Sequence, residues 1–290
     1  MPVFTQVSGR LGKATIALVT ITTEEFDGVR SVFGLSHQHP ERPYSVESPD
    51  RRKHYPIVLR RAPGQTNVVA AGLTSEILED FRPSYVFVIG TAGGHSERDG
   101  VQLGDVVIAD YLEYSGYWKL NKGKYHERKL PFDHPSLHLR EHFAERIRQS
   151  PEKWLEQITA ERPTEGVCKA LVGEVVAGEI LLGDAKNKEQ RRLLNKYEKA
   201  LAFEMESFGI AQTIYRYRSS VHYNPQFLIV RGISDLVNTD ATANNDERKR
   251  WTPYAINAAA TFVKLLIEKL IAQDQPITTD TGEGHPCQAL

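Results

Sequence analysis

Short continuous runs of apolar, largely β-branched residues recur along this chain, and stretches with helical spacing separate them. The first run, residues 14–20, has the composition of a strand that is buried on both faces of a parallel sheet. Phe26, Val29 and Phe33 then follow at helical spacing. A chain that repeats this order is expected to place its strands side by side in one sheet and to cover that sheet with helices.

The same order returns over the rest of the chain. Strands are predicted at residues 56–61, 85–89, 105–114, 167–176 and before Glu204 and Asp235, and helices at 66–81, 136–149, 187–197 and 252–272. We therefore expect an α/β fold, a single-domain three-layer α/β/α arrangement around a central, mostly parallel, partly mixed twisted sheet. This domain is expected over residues 14–272, with an N-terminal extension over 1–13 and a disordered tail over 273–290.

Charge and cysteine content restrict the expected partners and compartment. With a formal net charge of -1, the chain has no general positive field, so neither nucleic acid nor a membrane surface is an expected partner. The two cysteines, Cys168 and Cys287, do not make a disulfide framework, which favours a reducing setting. No run approaches the roughly 18 continuous apolar residues of a membrane helix. A cytoplasmic location is therefore expected.

Two segments in the second half of the chain run from an apolar stretch into carboxylates. Residues 202–207 contain Glu204 and Glu206, and residues 227–235 end at Asp235. Ligands of α/β sheets bind at the carboxyl ends of the strands, so acids at these positions predict acid/base chemistry. The alternative is that Glu206 serves the first turn of the following helix, where a negative charge interacts favourably with the helix dipole.

Residues 90–94, Gly-Thr-Ala-Gly-Gly, are predicted to form a turn after a strand, where backbone N–H groups and a hydroxyl face a ligand. Their spacing differs from that of phosphate-binding P-loops and of dinucleotide fingerprints. His134, His138 and His142 recur at helical spacing, but without the Glu of zinc-protease motifs, so a solvated helix face is expected. No metal and no cofactor is predicted.

Four features follow one another in a fixed order: Glu25, the glycine-rich residues 90–94, residues 204–206 (Glu-Met-Glu) and residues 231–235 (Arg-Gly-Ile-Ser-Asp). In this order they resemble the motifs of the nucleoside phosphorylase/nucleosidase superfamily, nearest the branch of the methylthioadenosine/S-adenosylhomocysteine nucleosidases. The resemblance spans residues 14–270 and implies a homo-oligomer, because family members are usually oligomeric. Residues 249–260 also resemble phosphorylase-like effector domains of immune-type proteins, which implies a role in antiviral defence.

The resemblance implies roles for three carboxylates. Asp235 would be the general acid that protonates the purine at N7. Glu206 would accept hydrogen bonds from the ribose hydroxyls and stabilise the cation that develops on the sugar. Glu25 would orient and deprotonate the attacking water, and Glu24 would take this role if the correspondence is shifted by one residue.

Eight further residues are implied to bind the substrate around the base, the ribose and the attacking water. These residues are Thr91, Ala92, Gly93, Leu181, Leu182, Glu204, Met205 and Ser234. Leu181 stands where nucleosidases of the family often have an aromatic residue that stacks on the base. The resemblance therefore implies an aliphatic wall with less stacking at this position.

The attacking group decides between hydrolysis and phosphorolysis. Phosphorylases that resemble this chain have an Arg two residues before the glycine-rich segment, and here that position is Val88. Without the Arg, phosphate loses a charge-assisted partner worth about 1.5–3 kcal/mol. We therefore expect water to cleave the N-glycosidic bond of a small purine nucleoside or nucleotide, with adenine as the expected base, releasing free base and a ribosyl product.

Two alternatives remain open at the level of sequence. One is a phosphate-dependent purine nucleoside phosphorylase, and the other is a non-catalytic nucleoside-binding sensor or interaction domain. Basic clusters at residues 51–53, 60–61 and 119–124 are either solvated surface or a site for the 5′ phosphates of a nucleotide.

Overall fold

The computed structural model describes residues 16–35, 37–38, 46–47, 56–97, 100–218 and 223–273. The predicted extension over residues 1–13 and residues 274–290 of the predicted tail lie outside these ranges. The described residues form eleven strands: β1 (Ile16–Thr20), β2 (His37–Gln38), β3 (Val46–Glu47), β4 (Ile57–Arg61), β5 (Tyr85–Gly94), β6 (Val106–Tyr114), β7 (Trp118–Asn121), β8 (Lys124–Glu127), β9 (Ala170–Ala177), β10 (Ala200–Glu204) and β11 (Gln226–Leu236).

The helices differ widely in length. In the described ranges they are α1 (Thr23–Phe33), α2 (Asn67–Phe81), α3 (Glu145–Arg148), α4 (Glu152–Leu155), α5 (Lys188–Lys196), α6 (Ser207–Tyr217) and α7 (Ala241–Gln273). A π-helical segment, Leu139–Ala144, precedes α3. None of the helices in these ranges is long and apolar enough to cross a bilayer.

Nine strands form one mixed sheet in the order β10-β9-β6-β11-β5-β1-β4-β3-β2. The central neighbours β4, β1, β5 and β11 run parallel, whereas β11 and β6 are antiparallel. Beyond β6 the neighbours β9 and β10 are again parallel. The prediction of a central, mostly parallel, partly mixed sheet is confirmed.

The sheet closes on itself at one end, which the sequence did not predict. β10 pairs with β5 as well as with β9, with Ala202 opposite Gly94 and Phe203 opposite Gly93. The strands β5, β11, β6, β9 and β10 therefore form a closed circuit. Residues 90–94, predicted as a turn, are the last part of β5, because their neighbours in the circuit continue to pair with them. The closure gathers the ends of β5, β10 and β11 at one place.

The core lies in two layers, one on each face of the sheet. Ile16 and Leu18 of β1 pack in one cluster with apolar residues of α1 and α7, and Ala17 and Val19 pack in the other with residues of α2 and α6. Because successive residues of a strand point to opposite faces, a continuous apolar run serves both layers. This arrangement confirms the predicted three-layer α/β/α architecture.

The last helix is longer than predicted, since it begins at Ala241 and not at residue 252. Asp240 starts it, because its Oδ1 accepts hydrogen bonds from the backbone N–H groups of Thr242 (3.2 Å) and Ala243 (3.1 Å). A helix that began at residue 252 would have Pro253 in its first turn, where the missing N–H costs nothing, but Pro253 lies inside the helix. The additional turns matter because they border the site described next.

Candidate active site

A cavity of about 540 Å³ lies where β5, β10 and β11 end, next to the first turns of α1 and α6. All the residues that the sequence assigned to the site line this one cavity: Glu25, Thr91, Ala92, Gly93, Leu181, Leu182, Glu204, Met205, Glu206, Ser234 and Asp235. The order of the strands explains this, because segments far apart in the chain end on the same side of the sheet. The roles of the residues remain predictions.

Glu25 lies in the first turn of α1 and is buried. The backbone N–H of Glu25 donates a hydrogen bond to Thr22 Oγ1 (3.2 Å). In return, Glu25 Oε2 accepts hydrogen bonds from the backbone N–H groups of Thr22 and Ile21, each at 3.0 Å. This reciprocal pair is a capping box. Oε1 points the other way and accepts from the backbone N–H (2.7 Å) and the hydroxyl (3.0 Å) of Thr91. Glu25 therefore joins the ends of β1 and β5.

Glu204 and Glu206, at the end of β10, have different surroundings. Glu204 Oε2 accepts hydrogen bonds from the backbone N–H of Glu206 (3.2 Å) and from the N–H (3.0 Å) and hydroxyl (2.9 Å) of Ser207. Glu206 occupies the N-cap position of α6, but its side chain makes no capping hydrogen bond. The side-chain hydrogen bonds at the start of α6 are therefore made by Glu204, while Glu206 contributes only its charge there. The Glu206 carboxylate accepts one hydrogen bond in the described structure, from Met205 N at 3.3 Å.

Arg231 of β11 is the buried cation of this cluster, and sequence reasoning gave it no role. Its Nη2 donates to Glu204 Oε2 and to Ser207 Oγ (3.1 Å), and it lies 3.7 Å from Glu206 Oε2. The guanidinium is 0% exposed. Burial raises the pKa of Glu206 to about 7, the charge of Glu204 adds to the increase, and Arg231 opposes it. Near neutral pH, Glu206 is therefore divided between its protonated and ionised forms.

Two glycines of β5 leave the space that these side chains occupy. A Cβ atom on Gly90 would collide with Arg231 Nη1 and would lie 2.8 Å from Glu25 Oε1. A Cβ atom on Gly93 would lie 2.7 Å from Val237 Cγ1 and 3.4 Å from Asp235 Oδ2. The glycine-rich segment thus admits side chains from α1 and β11 beside the strand.

Asp235 is held by three side chains around its carboxylate. Ser234 Oγ donates to Oδ1 (2.7 Å) and Asn244 Nδ2 donates to Oδ2 (2.7 Å). Arg248 contacts both oxygens, through Nε to Oδ1 (3.3 Å) and Nη2 to Oδ2 (3.0 Å). The family resemblance implied a place for Ser234 in the site, but sequence reasoning missed Asn244 and Arg248. The cap residue Asp240 was the signal that could have extended α7 to include them.

The loop after β9 brings Leu181 and Leu182 to the cavity. Asn67 Nδ2 donates to Gly178 O (2.8 Å) and to Glu179 Oε1 (3.0 Å), which fixes the start of this loop. Leu182 is buried in an apolar cluster, whereas Leu181 is 59% exposed at the edge of the cavity. Leu182 therefore forms a fixed wall, and Leu181 presents an aliphatic surface to the opening.

The histidines and the buried cysteine lie apart from this site. His134 stacks on Tyr111 with ring centroids 4.1 Å apart, and the rings of His138 and His142 are 4.8 Å apart. Among the residues described, no group of three or more His, Cys, Asp or Glu side chains is arranged to hold a metal ion. Burial raises the pKa of Cys168 to about 12, so that this residue is a thiol and not a nucleophilic thiolate at neutral pH.

Comparison with known proteins finds nucleosidases and a futalosine hydrolase among the similar proteins. A 5′-methylthioadenosine/S-adenosylhomocysteine nucleosidase of Staphylococcus aureus is 28% identical over 186 residues, which are 64% of this chain and 70% of the relative. The nucleosidase of the same name from Helicobacter pylori, solved with a bound inhibitor, has a TM-score of 0.69 at 18% identity, covering 89% of this chain and 99% of that one. Futalosine hydrolase of Helicobacter pylori has a TM-score of 0.68 at 17% identity, covering 88% and 98%.

The structural neighbours show that the fold is shared. The family model of the phosphorylase superfamily matches residues 14–268, which include the ends of β1, β5, β10 and β11 and most of α7. All the carboxylates described above fall inside this range. The chain belongs to the phosphorylase superfamily.

Proposed function

We propose that the protein hydrolyses the N-glycosidic bond of an adenine-containing purine nucleoside or nucleotide and releases free base and a ribosyl product. The observation that carries this proposal is the meeting of Glu25, Glu206 and Asp235 at one cavity, with Glu25 following β1, Glu206 following β10 and Asp235 near the end of β11. Cleavage of this bond needs a proton for the leaving base, a negative charge near the sugar and a base for water. The three carboxylates provide one group for each need.

In this reaction Asp235 donates a proton to the purine ring, and the bond between the base and the anomeric carbon breaks. Glu206 accepts hydrogen bonds from the ribose hydroxyls, and its charge stabilises the oxocarbenium-like sugar. Glu25, with Thr91 beside it, orients a water molecule and accepts its proton as the oxygen bonds to the anomeric carbon. Met205 packs against the sugar, and Leu181 and Leu182 border the base.

Water is favoured over phosphate by the charges near the cavity. Val88, at the position where related phosphorylases have an Arg, is buried inside the sheet. Arg248, which lines the cavity, is paired with Asp235, and Arg60 of the basic clusters is paired with Glu76 at 2.9 Å. Residues 51–53 lie outside the described residues. The carboxylates that line the cavity outnumber its two lining cations, Arg248 and Lys249, and would repel an incoming phosphate, whereas water is neutral.

The relatives support the choice of substrate class. The Staphylococcus aureus relative is named for methylthioadenosine and S-adenosylhomocysteine, which are both adenine nucleosides. The Helicobacter pylori nucleosidase was solved with an aminopyrrolopyrimidine, a purine analogue. These names motivate adenine as the base to be tested first in this chain.

We also propose a homo-oligomer in the cytoplasm. Ile180 and Leu181 are 57% and 59% exposed at the opening of the cavity, and a second copy that covers them would remove apolar surface from water. Cys168 is a free thiol, as expected in a reducing compartment. Light scattering after size-exclusion chromatography tests the first proposal, and cell fractionation tests the second.

A substrate panel tests the proposed activity. The protein is incubated with adenosine, methylthioadenosine, AMP and ATP, with and without phosphate, and release of free base is followed chromatographically. We expect adenine to appear without phosphate. Release that requires phosphate would establish a phosphorylase, and binding by calorimetry without any release of base would support a sensor.

A further inference from the structure

Arg231 is shared unequally between two carboxylates. Its Nη2 is hydrogen-bonded to Glu204 and to Ser207 Oγ, but it is 3.7 Å from Glu206 Oε2, beyond a good hydrogen bond. The side chain of Glu204 is 2% exposed, and that of Glu206 is 9% exposed. The buried cation is therefore committed to Glu204. Glu206 lines the cavity as Glu204 does, but it has no strong partner.

The cluster has more negative than positive groups. Glu25 approaches from α1, Glu204 from the end of β10, Glu206 from the start of α6, and Arg231 from β11. All four side chains are buried. One guanidinium cannot neutralise three carboxylates. Glu25 accepts four hydrogen bonds, from Ile21, Thr22 and Thr91, whereas Glu206 accepts one in the described structure, so Glu206 bears most of the cost of burial.

We propose that Glu204 is a positioning residue that withholds Arg231 from Glu206, so that the Glu206 carboxylate stays available to the ribose hydroxyls. Glu204 does this by binding the guanidinium itself and by holding the first turn of α6 through the N–H and hydroxyl groups of Ser207. This role differs from the direct substrate contact that the family resemblance implied for Glu204. The inference rests on the proposed function, because it assigns Glu206 to the ribose.

The geometry has a consequence for the protonation of Glu206. If Glu204 becomes neutral, one repelling charge is removed and the guanidinium pairs more closely with Glu206. Both changes favour the ionised form of Glu206, whose pKa burial and Glu204 otherwise raise to about 7. A residue that only supports the fold would not change this ionisation selectively.

The variant Glu204→Gln tests the proposal, with Glu204→Asp keeping the charge and exposed Glu156→Gln as a matched control. For the wild type we expect kcat/KM to fall about tenfold per pH unit below neutral pH as Glu206 is protonated. In Glu204→Gln this acid limb should shift to lower pH by roughly 1 to 3 units. The KM should rise, because Arg231 now competes with the ribose for Glu206. In Glu204→Asp and Glu156→Gln the acid limb of kcat/KM should lie at nearly the same pH as in the wild type.

Carbon-13 NMR titration of glutamate carboxyl groups reports the same ionisation without turnover, and the Glu206→Gln variant identifies the Glu206 signal. A titration midpoint that is the same in natively folded Glu204→Gln and in the wild type overturns the proposal, whatever happens to the rate. The proposal is also overturned if Glu206 in the wild type titrates with a midpoint near 4.5, the ordinary pKa of a glutamate. If no base is released from any substrate, the proposed function fails, while the NMR titration still decides whether Glu204 controls Glu206.

Discussion

Arg248 and Asp235 form a two-point ion pair in which the guanidinium contacts both carboxylate oxygens, at 3.3 Å and 3.0 Å. Arg248 also donates to Asn244 Oδ1 at 3.0 Å, and Asn244 donates to Asp235, so the first turns of α7 hold the acid from one side. Asp235 is 2% exposed. Its orientation is therefore set by Asn244 and Arg248 of α7 together with Ser234 of β11.

Removing Arg248 should lower both the rate and the stability. Arg248→Ala deletes two charge-assisted hydrogen bonds to Asp235, so we expect kcat/KM to fall on the order of 10- to 100-fold. Loss of Arg248 also leaves the buried Asp235 carboxylate with fewer partners, so we expect the unfolding free energy to fall by about 1–3 kcal/mol. Arg250→Ala is the matched control, because Arg250 donates to Pro163 O and does not contact Asp235. Equal losses in the two variants would contradict the role of Arg248.

Asp235→Asn tests the general acid. The amide keeps the shape of the side chain but cannot donate the catalytic proton, so kcat should fall by about 10²- to 10⁴-fold. Asp240→Asn is the control, because Asp240 is exposed at the start of α7 and Asn is an equally good cap there. Steady-state rates of base release measure both. An unchanged kcat in Asp235→Asn would remove Asp235 from the mechanism.

Single variants can also decide whether Glu25 or its neighbour Glu24 is the base for the attacking water. Glu25 is buried and hydrogen-bonded to Thr91, whereas Glu24 is exposed. We expect Glu25→Gln to lower kcat by about 10²- to 10⁴-fold, because the base for water is lost. Glu24→Gln should retain most of the turnover. The opposite result would show that the correspondence with the family is shifted by one residue.

The stability of Glu206→Gln relative to the wild type should be higher at pH 8 than at pH 5. Burial raises the pKa of Glu206 from its ordinary 4.5 to about 7 in the folded protein, so the ionised form of Glu206 costs stability. The cost grows as the pH rises from 4.5 to 7 and is at most roughly 3 kcal/mol. Denaturant unfolding at both pH values measures it, with exposed Glu268→Gln as the control. A difference from the wild type that is the same at both pH values would contradict the raised pKa.

The local sequence pattern predicted secondary structure correctly where a strand is buried on both faces. The run at residues 14–20 predicted β1 because both faces of the strand are buried, and a buried strand needs apolar residues on both faces. Glycines misled the same reasoning at residues 90–94. They indicated a turn, but Gly90 and Gly93 are small because Arg231, Glu25 and Val237 approach them from other elements. Such a cause is tertiary and leaves no local signal.

Sequence reasoning predicted which residues form the candidate site but not the hydrogen bonds and ion pairs between them and their partners. Family resemblance gave the acids, while the partners of those acids had to be seen in space. Arg231 was part of a recognised segment, yet its pairing with Glu204 depends on how β10 and β11 close the sheet. Asn244 and Arg248 depended on the true start of α7. Pairings between distant segments are set by topology, which one sequence does not specify.

Leu181→Phe should tighten binding of the substrate at the base. Leu181 borders the cavity at 59% exposure, where a ring has space to stack on a purine. A stacked aromatic pair is worth about 0.5–1.5 kcal/mol, so the KM for adenosine should fall by roughly 2- to 10-fold with little change in kcat. Leu137→Phe, at 64% exposure and outside the residues that line the cavity, is the matched control. An unchanged KM in Leu181→Phe would mean that the base lies elsewhere in the cavity, against the wall formed by Leu182.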